Sequence, residues 1–278
     1  MKLQQIVAIG LLLSLMFGAG LQLDRAALAT ELKNTGLIAR AIVASVIVVP
    51  LAGFFFAWAF HLPPPIAAGL LLMAMASGVP FVVLSGGRQK GGSHELAVTL
   101  ALVLPVISAV TIPFTADLLL PNDIPTKIPV SQLVGLVAFQ LMPLVVGALV
   151  AAFFPAIARK IARPVAIVTI VTLLGLLAIL SPAIFQAVIA VFGKFGIIAM
   201  LGTTLASLMA GWFLSDAPVE HRRTLAMATL LRNPATAGFI ATTEFKDPLV
   251  SATVFTYFVV QFIVATVAGK LFTRSSAS

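Results

Sequence analysis

Residues 41 to 87 form forty-seven consecutive positions without a single Asp, Glu, Lys or Arg. About 20 apolar residues cross the hydrocarbon core of a bilayer, so this run holds two spans. His61-Leu62-Pro63-Pro64-Pro65 divides them, because proline lacks the N–H that would continue a helix. Further charge-free runs occupy 3 to 23, 96 to 116, 128 to 158, 164 to 193, 195 to 215 and 248 to 269, and residues 224 to 243 are apolar apart from Arg232. The chain therefore reads as nine spans, at about 3–23, 41–60, 66–87, 96–116, 131–154, 164–186, 195–215, 224–243 and 248–269. Charged residues make up 9% of the 278, against roughly 25% in a soluble domain, too few to cover a globule in water. A transmembrane barrel needs short strands alternating polar with apolar, whereas these runs are apolar on every face. The expected class is an all-α polytopic membrane protein forming one transmembrane domain over residues 1–278, solvated by the lipid bilayer.

Orientation follows from the 17 Lys and Arg, because cytoplasmic loops retain positive charge during insertion. Twelve of them (Arg25, Lys33, Arg40, Arg88, Lys90, Arg159, Lys160, Arg163, Arg222, Arg223, Lys270 and Arg274) follow odd-numbered spans. Lys2, Lys127, Lys194 and Lys246 lie on the other side. That bias predicts an outside N-terminus and a cytoplasmic C-terminus in a plasma membrane, the inner one of a bacterium. Lys2, the first apolar run and Ala27-Leu28-Ala29 loosely imitate a cleavable signal peptide, but the run is longer than a signal core and Asp24 and Arg25 follow it. Residues 24 to 40 read instead as an amphipathic connector on the cytoplasmic side.

The net charge of +8 is spread thinly between apolar runs, which argues against nucleic acid. With no Cys in the chain, disulfide, thiolate-metal and thiol chemistry are excluded. His61, His94 and His221 all sit at span ends and no metal-binding HExxH helix occurs, so the chain is not expected to be an enzyme or to hold a cofactor.

Two spans are interrupted. The segment 66–87 meets Ser77-Gly78-Val79-Pro80, and 224–243 carries Leu231-Arg232-Asn233-Pro234 at its middle. Both have one layout: a helix, a proline-bearing break, about ten residues, a short charged loop and a full span. The layout occurs once in each half of the chain, with opposite orientation. Paired discontinuous helices are the signature of secondary transporters built from inverted repeats, because a broken helix exposes backbone groups that can hold solute near the midplane. Pro50, Pro105, Pro143 and Pro182 read as ordinary kinks.

Arg232 is the one charge placed within a span. It lies twelve residues from both Glu220 and Glu244, ~18 Å from either at 1.5 Å per residue, too far to snorkel. An arginine there costs ~2.5–3.5 kcal/mol even on the lenient insertion scale, so it must face a wet cavity or an acceptor. All nine Asp and Glu lie in loops or at span ends. The missing partner is then expected to arrive from outside as a carboxylate or similar oxyanion, bound bidentately, with Asn233 adding amide donors and an acceptor and the helix start at Pro234 adding dipole. A structural arginine bonded to carbonyls of the opposing break is the alternative, and both can hold in one cycle. Ser77, Thr229 and Gln261 complete the candidate substrate site, and Gly78, Val79, Pro80 and Pro234 mark the breaks.

Met16-Phe17-Gly18-Ala19-Gly20-Leu21, Gly78-Val79-Pro80-Phe81, Gly91-Gly92 before Leu96-Ala97, and Ala226-Met227-Ala228 through Arg232-Asn233-Pro234 together resemble the bile acid:sodium symporter family over nearly the whole chain. The resemblance implies a panel domain and a core domain, two broken helices crossing at the centre of the core, and alternating access by relative domain motion. It also exposes departures. The family's second break resembles Glu-x-Gly-x-Gln-Asn, with Glu and Gln serving sodium; Ala228 and Arg232 stand there, with Asn233 retained. The family's Ser-Asn after the first break falls on Val82-Val83, or on Ser85-Gly86 if counted from Pro80. Oxygen ligands are what a hard cation needs, and arginine in the site repels one. The expectation is a secondary carrier of a small organic anion without the usual sodium sites. A sodium-coupled symporter, or a receptor-like or channel-like binder that does not transport, is the alternative.

Overall fold

The computed structural model describes residues 3–23, 25–77, 91–120, 128–192, 195–215 and 218–274. Gly78, Val79 and Pro80, the expected break of the third span, lie outside the described residues. Eleven helices are described: α1 (Leu3–Leu21), α2 (Arg25–Lys33), α3 (Thr35–Ala59), α4 (Pro64–Met75), α5 (His94–Leu119), α6 (Val130–Phe153), α7 (Pro155–Phe192), α8 (Gly196–Leu214), α9 (Val219–Leu230), α10 (Pro234–Thr243) and α11 (Pro248–Arg274). Among the described residues, five helices are long and apolar enough to cross a membrane: α3, α5, α6, α8 and α11 as far as Thr273. Shorter apolar helices cover Ile9–Leu21 and α4.

Local chemistry sets the boundaries. The expected connector at 24–40 is split, because the Asn34 side chain accepts from the Leu37 N–H at 3.3 Å and caps a new helix. Residues 35 to 40 are therefore continuous with helix α3, while residues 25 to 33 form a helix of their own. Helix α3 ends before His61, whose positive φ of 48° turns the chain into the Pro63-Pro64-Pro65 run that starts α4. Ser93 caps α5 by accepting from the Leu96 N–H at 3.1 Å, with Glu95 in the first turn facing the positive end of the helix dipole. Helix α7 runs unbroken for 38 residues from Pro155, so the basic residues Arg159, Lys160 and Arg163 stand on its first turns rather than in a loop.

The helices fall into two groups. Helix α1 packs lengthwise on both α6 and α7, which also touch each other, giving a three-helix panel. Small residues permit this approach: a Cβ on Gly20 would meet the Leu144 carbonyl and, at 2.8 Å, the Ala148 amide, and one on Gly147 would meet the Phe17 carbonyl. Helices α2, α3, α4, α5, α8, α9, α10 and α11 make up the second group, which meets the panel where α11 packs on α7 and α5 on α6. Two apolar clusters hold the groups together, each containing residues of the panel as well as of the second group. One cluster joins α4 to α10 and α11 through Leu70, Leu71, Met73, Ile240 and Val254. The other joins α5 to α9 and α1 through Leu96, Leu100, Leu225, Leu230 and Met16. Ser77, Arg232 and Asn233, which belong to neither cluster, are buried with them.

Candidate functional site

Helix α4 stops at Met75, which leaves its last carbonyls without partners from the next helical turn. Their donors come from elsewhere in the chain. The Arg232 Nε donates to the Met73 carbonyl at 3.3 Å and Nη2 to the Ala74 carbonyl. The Ser108 hydroxyl of α5 donates to Met75 at 3.1 Å, and the Asn233 backbone N–H donates to Ala76 at 2.8 Å. Ser77 continues the arrangement: its N–H donates to the Ser108 oxygen at 3.0 Å and its hydroxyl to the Leu104 carbonyl at 3.4 Å. Every orphan carbonyl from Met73 to Ala76 is thus occupied, and the second break supplies three of those bonds.

Arg232 has one more carbonyl from a distant helix. Residues Val43–Val48 of α3 form a π-helical turn, in which the Val49 N–H reaches back five residues to Ala44. The same register would give the Ser45 carbonyl the N–H of residue 50, but that residue is Pro50 and has none. The free Ser45 carbonyl accepts from Arg232 Nη2 at 2.9 Å. Pro50, expected to be an ordinary kink, is what exposes this acceptor.

The guanidinium is fully buried, at 0% exposure, and Nη1 turns back to its own Thr229 carbonyl at 3.5 Å. Among the described residues no Asp or Glu is buried with it. Compensation comes from dipoles. Helices α4 and α9 both end at Arg232, and a helix C-terminus carries about half a negative unit charge, so the two ends together offset roughly one positive charge. This geometry is the structural alternative left open by the sequence.

The break itself is clamped from α11. Gln261 Oε1 accepts from the Arg232 N–H at 2.8 Å while its Nε2 donates to the Arg232 carbonyl at 3.0 Å, so one carboxamide satisfies both backbone groups of a residue that cannot be helical. Asn233 restarts the helix: its Oδ1 accepts from the N–H groups of Ala235 and Thr236 at 3.1 and 3.2 Å, and Pro234 occupies the first helical position. The amides expected to point at an anion are therefore spent on the Asn233 side chain. Thr229, expected in the site, directs its hydroxyl to the Ser207 carbonyl of α8 at 2.8 Å.

The Asn233 carboxamide has a second end. Its Nδ2 donates to Gln140 Oε1 at 3.0 Å, and Gln140 Nε2 lies 3.5 Å from Thr236 Oγ1. Gln140 belongs to α6 of the panel, so this contact spans the two helix groups. Among the residues expected to bind substrate, the structure brings Arg232, Asn233, Ser77 and Gln261 together around one crossing, with Thr229 a turn away. Ser45, Pro50, Ser108 and Gln140 share the crossing and were not expected there.

A discontinuous helix buried in a polytopic bundle, its break braced against the end of a second apolar helix, is the architecture of a secondary transporter. The chain belongs to the Sodium Bile acid symporter family, whose profile matches residues 8–190. Among its relatives, the probable sodium/metabolite cotransporter BASS6 (chloroplastic) of Arabidopsis thaliana is 24% identical over 250 residues, covering 85% of this chain. The uncharacterised sodium-dependent transporter YocS of Bacillus subtilis is 23% identical over 239 residues, 84% of the chain, and the human P3 protein 27% over 204 residues, 67% of it. The chain spans 60% of the length of BASS6, 72% of YocS and 40% of P3.

Proposed function

We propose that this protein is a secondary carrier that moves a small carboxylate-type organic anion by alternating access of the core group against the panel, with Arg232 as a covalently tethered cation in place of bound sodium. The observation that carries the reading is the guanidinium seated on carbonyl oxygens of Ser45, Met73 and Ala74. A ring of backbone oxygens at the end of a broken helix is the donor set a hard cation uses, and here a side chain occupies it. The loss of carboxylate at Ala228 supports the same reading. Nine crossings with the N-terminus outside, in a plasma membrane, complete the proposal.

The second reading is a sodium-coupled symporter, favoured by the relatives described as sodium-dependent or sodium/metabolite carriers. Uptake of a mixture of organic acids into proteoliposomes, with sodium replaced by choline, separates the two. Uptake that persists in choline supports the tethered cation; strict dependence on sodium overturns it. Absence of any uptake, with retained binding, leaves a receptor-like protein.

A further inference from the structure

The three panel helices contain no Asp or Glu, and their only charges are Arg159, Lys160 and Arg163, three cations within five residues near the start of α7. Arg163 stands three residues from Lys160 and four from Arg159, so the three share one helix face, where like charges repel. All are exposed, and among the described residues none has an acidic partner. Arg223 of the second group is placed differently: it is 6% exposed and donates to the Gly91 carbonyl at 3.2 Å.

Close approaches along the panel fix the height of these cations. A Cβ on Gly10 would meet Thr172 and one on Gly18 would meet Val165. Helices α1 and α7 therefore run antiparallel, and their register carries Leu21, the last residue of α1, to the level of Ala162. The turns of α7 before Ala162, with the end of α6 beside them, project past α1 by roughly 10 Å at 1.5 Å per residue. That distance reaches through the headgroup layer, which is ~5–8 Å deep on each side of a bilayer. The same projection carries Phe153, Phe154 and Ile157, each more than half exposed. Apolar bulk beside cations is the make-up of a helix end that sits in the interface.

We propose that this tip of the α6–α7 hairpin is a docking surface for acidic phospholipid, on the cytoplasmic leaflet in the orientation proposed above. Charge complementarity selects the occupant. A lipid phosphate is an oxyanion that the arginine fork matches, and a leaflet of acidic lipids attracts each Arg or Lys near its surface. The exposed Phe and Ile side chains suit acyl chains and not a soluble phosphate. Bound headgroups relieve the repulsion within the triad. They also moor the panel, against which the second group moves; that consequence rests on the transport reading above.

The chain has no Cys, so Ile167→Cys, exposed one turn deeper on the face of Arg163, carries a single bimane fluorophore beside any lipid held there. The full chain is reconstituted in phosphatidylcholine with increasing phosphatidylglycerol, one lipid or the other bearing bromine in its acyl chains. Quenching then gives the relative affinity of the two lipids at that spot. Phosphatidylglycerol should be favoured at least about fivefold, the equivalent of one surface charge. In Arg159→Gln/Lys160→Gln/Arg163→Gln the preference should fall below about twofold. At Val267→Cys, exposed on α11, the triple substitution should change nothing. A preference below about twofold in the unsubstituted background, or one that the triple substitution leaves intact, overturns the proposal. So does loss of the preference on adding soluble glycerol phosphate, which makes the cations a site for free phosphate instead. If the triple variant does not fold, Arg163→Gln alone should lower the ratio at least about twofold, and an unchanged ratio overturns the surface equally. Quenching needs no transport, so loss of the preference with organic-acid uptake intact rejects the surface alone, whereas the preference without any uptake rejects the transport reading. Labelling of an Ile157→Cys thiol by an impermeant maleimide from outside intact cells overturns the assignment to the cytoplasmic leaflet.

Discussion

Replacing Arg232 by Ala leaves the carbonyls of Ser45, Met73 and Ala74 buried without a donor. An unmade hydrogen bond to a buried backbone group costs about 1–3 kcal/mol, and removing one partner of a buried charged arrangement costs about 3–5 kcal/mol in measured cases. Relief from burying the charge, and water entering the vacated space among polar oxygens, pull the sum towards the lower figures, so the expected loss is about 3–5 kcal/mol. At roughly 2–4 °C per kcal/mol for a chain of this size, the unfolding midpoint in detergent should fall by roughly 10 °C, followed by fluorescence of Trp58 and Trp212. The vacated cage then presents oxygens at the negative ends of α4 and α9, a setting for a hard cation. Sodium chloride should therefore restore part of the lost midpoint in Arg232→Ala, choline chloride should not, and the unsubstituted protein should respond to neither. Arg232→Lys keeps the charge but cannot fork to several carbonyls, and should lose about half as much. A midpoint for Arg232→Ala within about 2 °C of the parent would refute the claim that these carbonyls depend on the guanidinium.

Three further substitutions test the rest of the crossing. Pro50→Ala restores an N–H that can bond the Ser45 carbonyl within α3 and compete with Arg232; although removing a helical proline is ordinarily stabilising, this change should destabilise by about 1 kcal/mol, and an increase in midpoint would count against the π-turn account. Gln261→Leu deprives the Arg232 N–H and carbonyl of their shared partner, at about 2–4 kcal/mol for two buried backbone groups, read by the same thermal scan. Gly147→Leu drives a side chain into the backbone of α1 at Phe17, where no rotamer change can relieve it; a loss of at least about 3 kcal/mol should appear as aggregation in size-exclusion chromatography, while Gly135→Leu, in open space, should elute as the parent does.

The second break was legible in the sequence because two independent rules meet there: Pro234 has no N–H, and Arg232 cannot sit in lipid. Asn233 was legible too, but its commonest use, as the cap of the helix beginning at Pro234, competes with ligand binding for the same oxygen, and the cap wins on Oδ1. Ser45 and Pro50 were hidden for a different reason. Their relation depends on a five-residue reach, which exists only where α3 widens into a π turn, and no residue pattern announces that widening. Gln140 and Ser108 stand in helices apolar on every side, so periodicity gives no hint of which way they point. Within 24–40 the division into two helices rests on Asn34, whose side chain caps the second of them. Charge-free runs marked the bundle itself, since their length alone limits what they can span.

A cation attached to the main chain cannot be surrendered to either aqueous phase. If turnover passes through a crossing whose positive charge is anchored at Arg232, that position exchanges nothing with salt gradients, and each cycle ends with the same occupant in the same cage. Accumulation against the solute's own gradient must then draw on its charge in the membrane potential or on counter-exchange with another solute. In the proposed carrier, the guanidinium that holds the two helix ends also sets the energetics.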